Sequence, residues 1–189
     1  MIKSKTIGNI LIIIGLIVIT VAGAMKIKAY YVQKSMIDGF QKNLEVNDGP
    51  TDSTSQVKIE GNSLGIVSIP KIEMEAVFCE GVDMETLKYA LGHFPGTAVP
   101  GEKGNCCIAG HRSYTYSQYF NRLDELKSGD EIKITTKRET YTYIVYDSFI
   151  VDPSHTEVLN TTKDCELTLV TCTPIRIATQ RLIVKAKLK

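Results

Sequence analysis

Residues 6–25 are 20 consecutive residues without a charge, including Ile10-Leu11-Ile12-Ile13-Ile14 and Leu16-Ile17-Val18-Ile19. As a helix rising 1.5 Å per residue, such a run is about 30 Å long, the thickness of a bilayer's hydrocarbon core. This divides the chain into a tail at 1–5, a transmembrane anchor at 6–25 and everything that follows. Lys3 and Lys5 precede the run and Lys26 and Lys28 follow it, so the flanking charge sets no orientation. Ala22-Gly23-Ala24 resembles a small-residue cleavage site, which keeps a cleaved signal peptide open as the alternative. The apolar stretch exceeds the ~7–15 residues of a signal core, which favours the uncleaved anchor. Either reading sends the remainder out of the cytoplasm, and the anchor reading makes residues 1–5 a cytoplasmic tail. No second apolar span follows.

Beyond the anchor, residues 26–46 carry Ile27, Tyr30, Tyr31, Ile37, Phe40 and Leu44 at roughly helical spacing. They read as a helical stalk, with a loosely ordered tether as the alternative. Residues 47–63 are polar and turn-rich and read as a linker, closing a stalk-and-linker unit at 26–63. Residues 64–189 form the globular domain. Strands are expected at 64–69, 71–78, 105–109, 131–136, 140–151, 166–171 and 182–188, with short helices at 84–91 and 116–126. Many short strands separated by Gly and Pro turns indicate an all-β barrel or sandwich.

The formal net charge of +1 lacks the basic excess of a nucleic-acid binder. The five cysteines, at 79, 106, 107, 165 and 172, cannot all pair within one chain. None forms a C-x-x-C pair and the three histidines are scattered, which argues against zinc. No metal or other cofactor is expected. Four cysteines read as small buried apolar residues and one as chemical.

That one is Cys172. In 167–172, Leu167 and Leu169 share one face of a strand, and Thr168, Val170 and Cys172 share the other. Pro174 ends the strand, so the thiol sits where a loop opens to solvent. After a short loop, Leu182, Val184, Ala186 and Leu188 form the apolar face of the last strand. Arg181 falls on the opposite face with Ile183 and Lys185. If these two strands pair, Arg181 lies near Cys172, where a fixed cation favours the thiolate and can donate to an oxyanion. His111 follows the apolar run 105–109 and Gly110, at another strand end, placed to act as general acid and then base. Cys and His far apart in sequence but joined in space suit thiol catalysis.

At these residues the chain resembles the sortase family. Ala109-Gly110-His111-Arg112, Thr168-Leu169-Val170-Thr171-Cys172-Thr173 and Gln180-Arg181-Leu182 match the three sortase motifs in order and spacing. Leu91-Gly92-His93-Phe94-Pro95-Gly96-Thr97 with Pro100-Gly101 resembles the stretch before the catalytic His. The resemblance covers roughly 64–189. It implies a closed eight-stranded β-barrel with short helices, and an enzyme on the outer face of a Gram-positive membrane. It further implies a cysteine transpeptidase that cleaves an LPxTG-like signal between Thr and Gly. The acyl group would pass through a thioacyl at Cys172 to a peptidoglycan-precursor amine, with His111 and Arg181 assisting. A pilin polymerase of class C and a hydrolysing cysteine peptidase are the alternatives. The HFPGT…PG…AGHR run and the single N-terminal span look most like class D. The loop 151–165 would line the peptide groove, with Val158 and Leu159 as apolar contacts or, alternatively, core residues. Thr171 would hydrogen-bond the peptide or, alternatively, be ordinary strand content, and Tyr114 and Tyr116 would border the groove or be ordinary surface aromatics. His93 and His155 are expected to be incidental.

Overall fold

The computed structural model describes residues 4–45, 62–112 and 119–189. It begins with one unbroken helix, α1 (Ser4–Glu45). Within α1, Ile7–Ala24 has a mean hydropathy of 2.5 and none of it is buried, so the segment is long and apolar enough to cross a membrane. The helix continues well past this segment, as the periodic apolar residues of 26–46 anticipate. The expected linker at 47–63 falls almost wholly outside the described residues.

The rest closes into an eight-stranded barrel. The strands are β1 (Ser63–Ile69), β2 (Met74–Glu80), β3 (Leu91–His93), β4 (Gly104–Ala109), β5 (Glu131–Thr136), β6 (Thr140–Val151), β7 (Cys165–Thr173) and β8 (Gln180–Leu188). Their order around the barrel is β1-β2-β3-β4-β7-β8-β6-β5. β2–β3 and β4–β7 are parallel pairs, and the remaining neighbours are antiparallel. Strand alternation sends Ile132 and Ile134 of β5, Tyr143 and Val145 of β6, Leu167 and Leu169 of β7, and Leu182, Val184 and Ala186 of β8 into one buried core. Helix α2 (Met84–Tyr89) joins β2 to β3. The Asp83 side chain caps it, accepting from the Glu85 and Thr86 amides at 3.0 Å each.

Three local expectations fail. The strand read over 71–78 is cut short at its start by a 3-10 turn, Pro70–Ile72, and by Glu73, whose φ of 53° is left-handed. Leu91, read as the last residue of a helix, instead opens the buried strand β3 over 91–93, too short to show any alternation. No α-helix forms over the described part of 116–126, where a single 3-10 turn, Leu123–Glu125, tucks Leu123 and Leu126 into the core.

Past the apolar segment, α1 docks on the outside of the barrel. Met36 and Phe40 are buried against Ile66, Val77, Cys79 and Ala90, with Val32, Ile37 and Tyr89 at the margin. Gln33 Nε2 donates to the Glu75 carbonyl at 3.1 Å. Phe40→Ala should lower unfolding free energy by about 3 kcal/mol, as expected for truncating a buried aromatic. It should also speed protease cleavage near the end of α1. Denaturant unfolding and limited proteolysis check this, and unchanged values would mean the helix does not rest on the barrel.

Candidate active site

The site is built by the register of three adjacent strands. β4 and β7 run parallel, with Cys107 beside Thr168 and Ala109 beside Val170. The Gly110 amide continues this ladder, donating to the Val170 carbonyl at 3.1 Å. Extending this register by two residues past the end of β4 would set His111 beside Cys172. On the other side of β7, the β8 ladder pairs Cys172 with Arg181. Residues 107 and 109 of β4, 168, 170 and 172 of β7, and 181 and 183 of β8 share the barrel's outward face, and the same alternation carried past β4 puts 111 with them. The imidazole, thiol and guanidinium are thus brought to one end and one face of the barrel. All three residues are half-buried.

Local packing enforces this arrangement. Gly110 faces the core, and a Cβ there would come within 2.6 Å of both Leu91 Cδ2 and Phe120 Cδ2. The Phe120 amide donates to the His111 carbonyl at 3.2 Å, which holds the chain beyond β4. Arg181 Nη1 donates to the carbonyls of Ala178 and Gln180 at 3.2 and 3.0 Å, fixing the guanidinium at the edge of the β7–β8 loop. Burial lowers the His111 pKa below the usual histidine value, so the neutral imidazole persists to lower pH than in an exposed histidine.

Three of the other cysteines differ from Cys172 in exposure, whereas Cys165, expected to be buried, is half-exposed. Cys79, Cys106 and Cys107 are buried, and burial pushes the thiols of Cys79 and Cys107 up to about 11. Such thiols stay protonated and poorly nucleophilic. His93 is buried within the fold, with Nδ1 2.8 Å from Glu80 Oε2 and Nε2 2.9 Å from the Ala98 carbonyl. It serves the β3–β4 connection.

The segment between β6 and β7 lies over the outward face of β4. β6 ends at Val151, paired with Arg181, and β7 begins at Cys165, paired with Gly104. The connection must therefore cross the outward face from the thiol end to the far end. Its 3-10 turn, Thr156–Leu159, is seated over β4. Asn105 Nδ2 donates to the carbonyls of Val158 and Asn160 at 2.9 and 3.1 Å, and Cys107 Sγ lies 3.9 Å from the Leu159 carbonyl. Val158 and Leu159 are half-buried in this segment and belong to neither buried apolar cluster.

Thr171 is placed differently from the expectation. It lies on the inward face with Leu167 and Leu169, and its buried hydroxyl donates to the Gly110 carbonyl at 2.7 Å. A hydroxyl so engaged ties β7 to the approach to His111 and does not face the groove. Tyr114 and Tyr116 lie outside the described residues.

One residue that the sequence reading passed over belongs here. Arg112, next to His111, is buried, and its Nη1 donates to the Thr173 hydroxyl at 2.9 Å. Its Nη2 is 2.7 Å from Asp124 Oδ1, and Nε donates to the Asn121 carbonyl at 3.4 Å. The guanidinium thus clamps the residue after His111 to the residue after Cys172. Only the β4–β7 pairing reveals this, because the two lie 61 residues apart in sequence.

A family model described as "Sortase domain" matches residues 67–189. Sortase D of Bacillus subtilis is 32% identical over 134 residues, covering 67% of this chain and 66% of that one. Sortase A of Streptococcus agalactiae is 31% identical over 131 residues, covering 67% of this chain and 53% of that one. The matches therefore span between about half and two thirds of these relatives' lengths. Among solved structures, a Clostridium perfringens Sortase D5 transpeptidase superposes with a TM-score of 0.69 at 34% identity, covering 84% of this chain and 99% of that one.

Two outcomes are expected. Thr173→Val leaves the buried Arg112 Nη1 without its acceptor, so it should cost about 1–3 kcal/mol of stability and lower turnover at Cys172. Thr173→Ser should restore both, as denaturant unfolding and thiol turnover would show. His111 should titrate below the ordinary histidine midpoint of 6.5 by NMR. The folded chain takes up this proton less readily than the unfolded chain. His111 therefore withdraws stability as pH falls below the ordinary midpoint, and has no such effect at higher pH. His111→Gln should remove that part of the acid sensitivity.

Proposed function

The chain belongs to the sortase family, and from that premise we propose that it is a membrane-anchored cysteine transpeptidase acting on an LPxTG-like sorting signal. The carrying observation is the register that pairs Cys172 with Arg181 and sets Ala109 beside Val170, two residues short of His111 and Cys172. Sortases in general act on LPxTG-type signals and cell-wall precursors.

The reaction follows from the positions. The Cys172 thiol passes its proton to neutral His111 as its sulfur attacks the Thr carbonyl carbon of the Thr–Gly bond, and the C=O pair moves onto oxygen. Arg181, one strand away, donates to that oxyanion. As the tetrahedral species collapses, protonated His111 gives its proton to the departing glycine amine, and a thioester remains on Cys172. An amine of a peptidoglycan precursor then attacks the thioester and loses a proton to His111. The thiolate leaves, and a new amide joins protein to precursor. Val158 and Leu159 would meet the Leu-Pro part of the signal, since their turn is seated beside the outward face that leads to Cys172.

The likeness to D-type sortases and the HFPGT run support class D over the pilin-polymerising class C. The apolar part of α1 would hold the catalytic domain on the extracellular face of a Gram-positive membrane. Tethering there raises the effective concentration of membrane-held substrates without any new contact.

The test is product analysis by mass spectrometry with an LPxTG-type peptide, with and without an added amine. An amide to the added amine is expected, whereas hydrolysis alone would identify a cysteine peptidase instead. Cys172→Ala should abolish turnover. Arg181→Ala should lower kcat by roughly 10²–10³-fold, the effect of losing an oxyanion donor. Arg181→Lys should recover only part of that, because an ammonium lacks the planar fork. Near-normal turnover in Arg181→Ala would remove it from the mechanism.

A further inference from the structure

The direction in which α1 docks determines which end of the barrel faces the membrane. Gln33 bonds the Glu75 carbonyl near the start of β2, and Met36 and Phe40 pack further along, among Val77, Cys79 and Ala90. Helix α1 therefore runs in the same sense as β2. β2 is parallel to β3, β3 is antiparallel to β4, and β4 is parallel to β7. β4 and β7 consequently run opposite to α1, back toward its apolar segment. His111 follows β4, and Cys172 stands next to last in β7. The end of the barrel bearing the thiol is the end nearer the apolar segment of α1.

The separation is short. Gln33 follows the last residue of the apolar segment, Ala24, by nine positions (33 − 24) in an unbroken helix. At 1.5 Å per residue that is about 14 Å along the axis. The contact is also a rigid one, since Met36 and Phe40 are 6% and 2% exposed.

We propose that α1 is a strut that turns the Cys172 end of the barrel toward the bilayer at close range, and so sets how far from the membrane a scissile bond must lie to reach the thiol. This rests on the transpeptidase reading for the chemistry, while the placement stands on topology alone.

Two native cysteines test the placement without any turnover. Cys165 and Cys172 are both half-exposed and lie at opposite ends of β7, about 23 Å apart at 3.3 Å per residue. The full chain is reconstituted in phosphatidylglycerol–phosphatidylcholine vesicles carrying an energy-transfer acceptor on a headgroup. A donor is attached to Cys172 in Cys165→Ser, and to Cys165 in Cys172→Ala. Stronger transfer from position 172 than from 165 is expected, and equal or reversed transfer overturns the proposal. A seven-residue helical insertion between Lys28 and Tyr30 should weaken transfer from both positions.

The substrate arm uses the reconstituted chain and an LPxTG-type peptide, either free or joined to a lipid anchor through spacers of increasing length. The shortest workable spacers should react roughly tenfold or more faster than the free peptide. The insertion should shift the optimum to longer spacers and leave the free peptide's rate unchanged. An unshifted spacer profile overturns the proposal. Failure to cleave the free peptide would overturn the transpeptidase reading instead, with the energy-transfer result still deciding the placement.

Discussion

Everything at the candidate site depends on the parallel ladder between β4 and β7. Parallel strands cannot be joined by a tight turn, so His111 and Cys172 come from distant parts of the chain, and only the ladder holds them abreast. The ladder is fastened at its open end by three contacts beyond the regular pairing. The Gly110 amide reaches the Val170 carbonyl, the Thr171 hydroxyl reaches the Gly110 carbonyl, and Arg112 reaches the Thr173 hydroxyl. A slip of one residue in either strand would put His111 and Cys172 on opposite faces, because side-chain direction alternates at every residue. The antiparallel β7–β8 hairpin adds Arg181 to the same row and needs only a local connection.

The arrangement separates strength from reactivity. The inward face of these strands is dry and apolar, with Leu167, Leu169, Leu182 and Val184 filling the barrel. The outward face carries the polar and ionisable groups and leaves Cys172 half-exposed. Cys106 and Cys107 show what the same side chain becomes when the environment differs. They are buried in β4, where burial raises their thiol pKa values, and they contribute volume instead of chemistry.

Much of this could be read from residues alone. β5 and β6 fall where their alternation and β-branched content place them, and β8 follows Leu182, Val184 and Ala186. The helical spacing after the apolar run continues as helix. What could not be read was non-local or too short. β3 has three residues and exists only because β2 and β4 flank it. The stretch before Leu126 shows helical spacing, yet Leu123 and Leu126 need only one 3-10 turn to reach the core. Arg112 is indistinguishable from a surface charge until β7 lies beside it. Thr171 is a different case, since strand alternation already grouped it with Leu167 and Leu169, and its place beside the nucleophile in the motif outweighed that signal.

The β6–β7 segment over the outward face is gripped through its main chain. Asn105, fixed in β4 and bonded through Oδ1 to the Thr168 hydroxyl at 2.6 Å, holds the carbonyls of Val158 and Asn160. A grip on backbone oxygens is indifferent to which side chains the gripped residues carry. The segment can therefore exchange its side chains during descent while keeping its seat on the barrel, so that a lineage could acquire a new preference without remaking the scaffold that performs the chemistry.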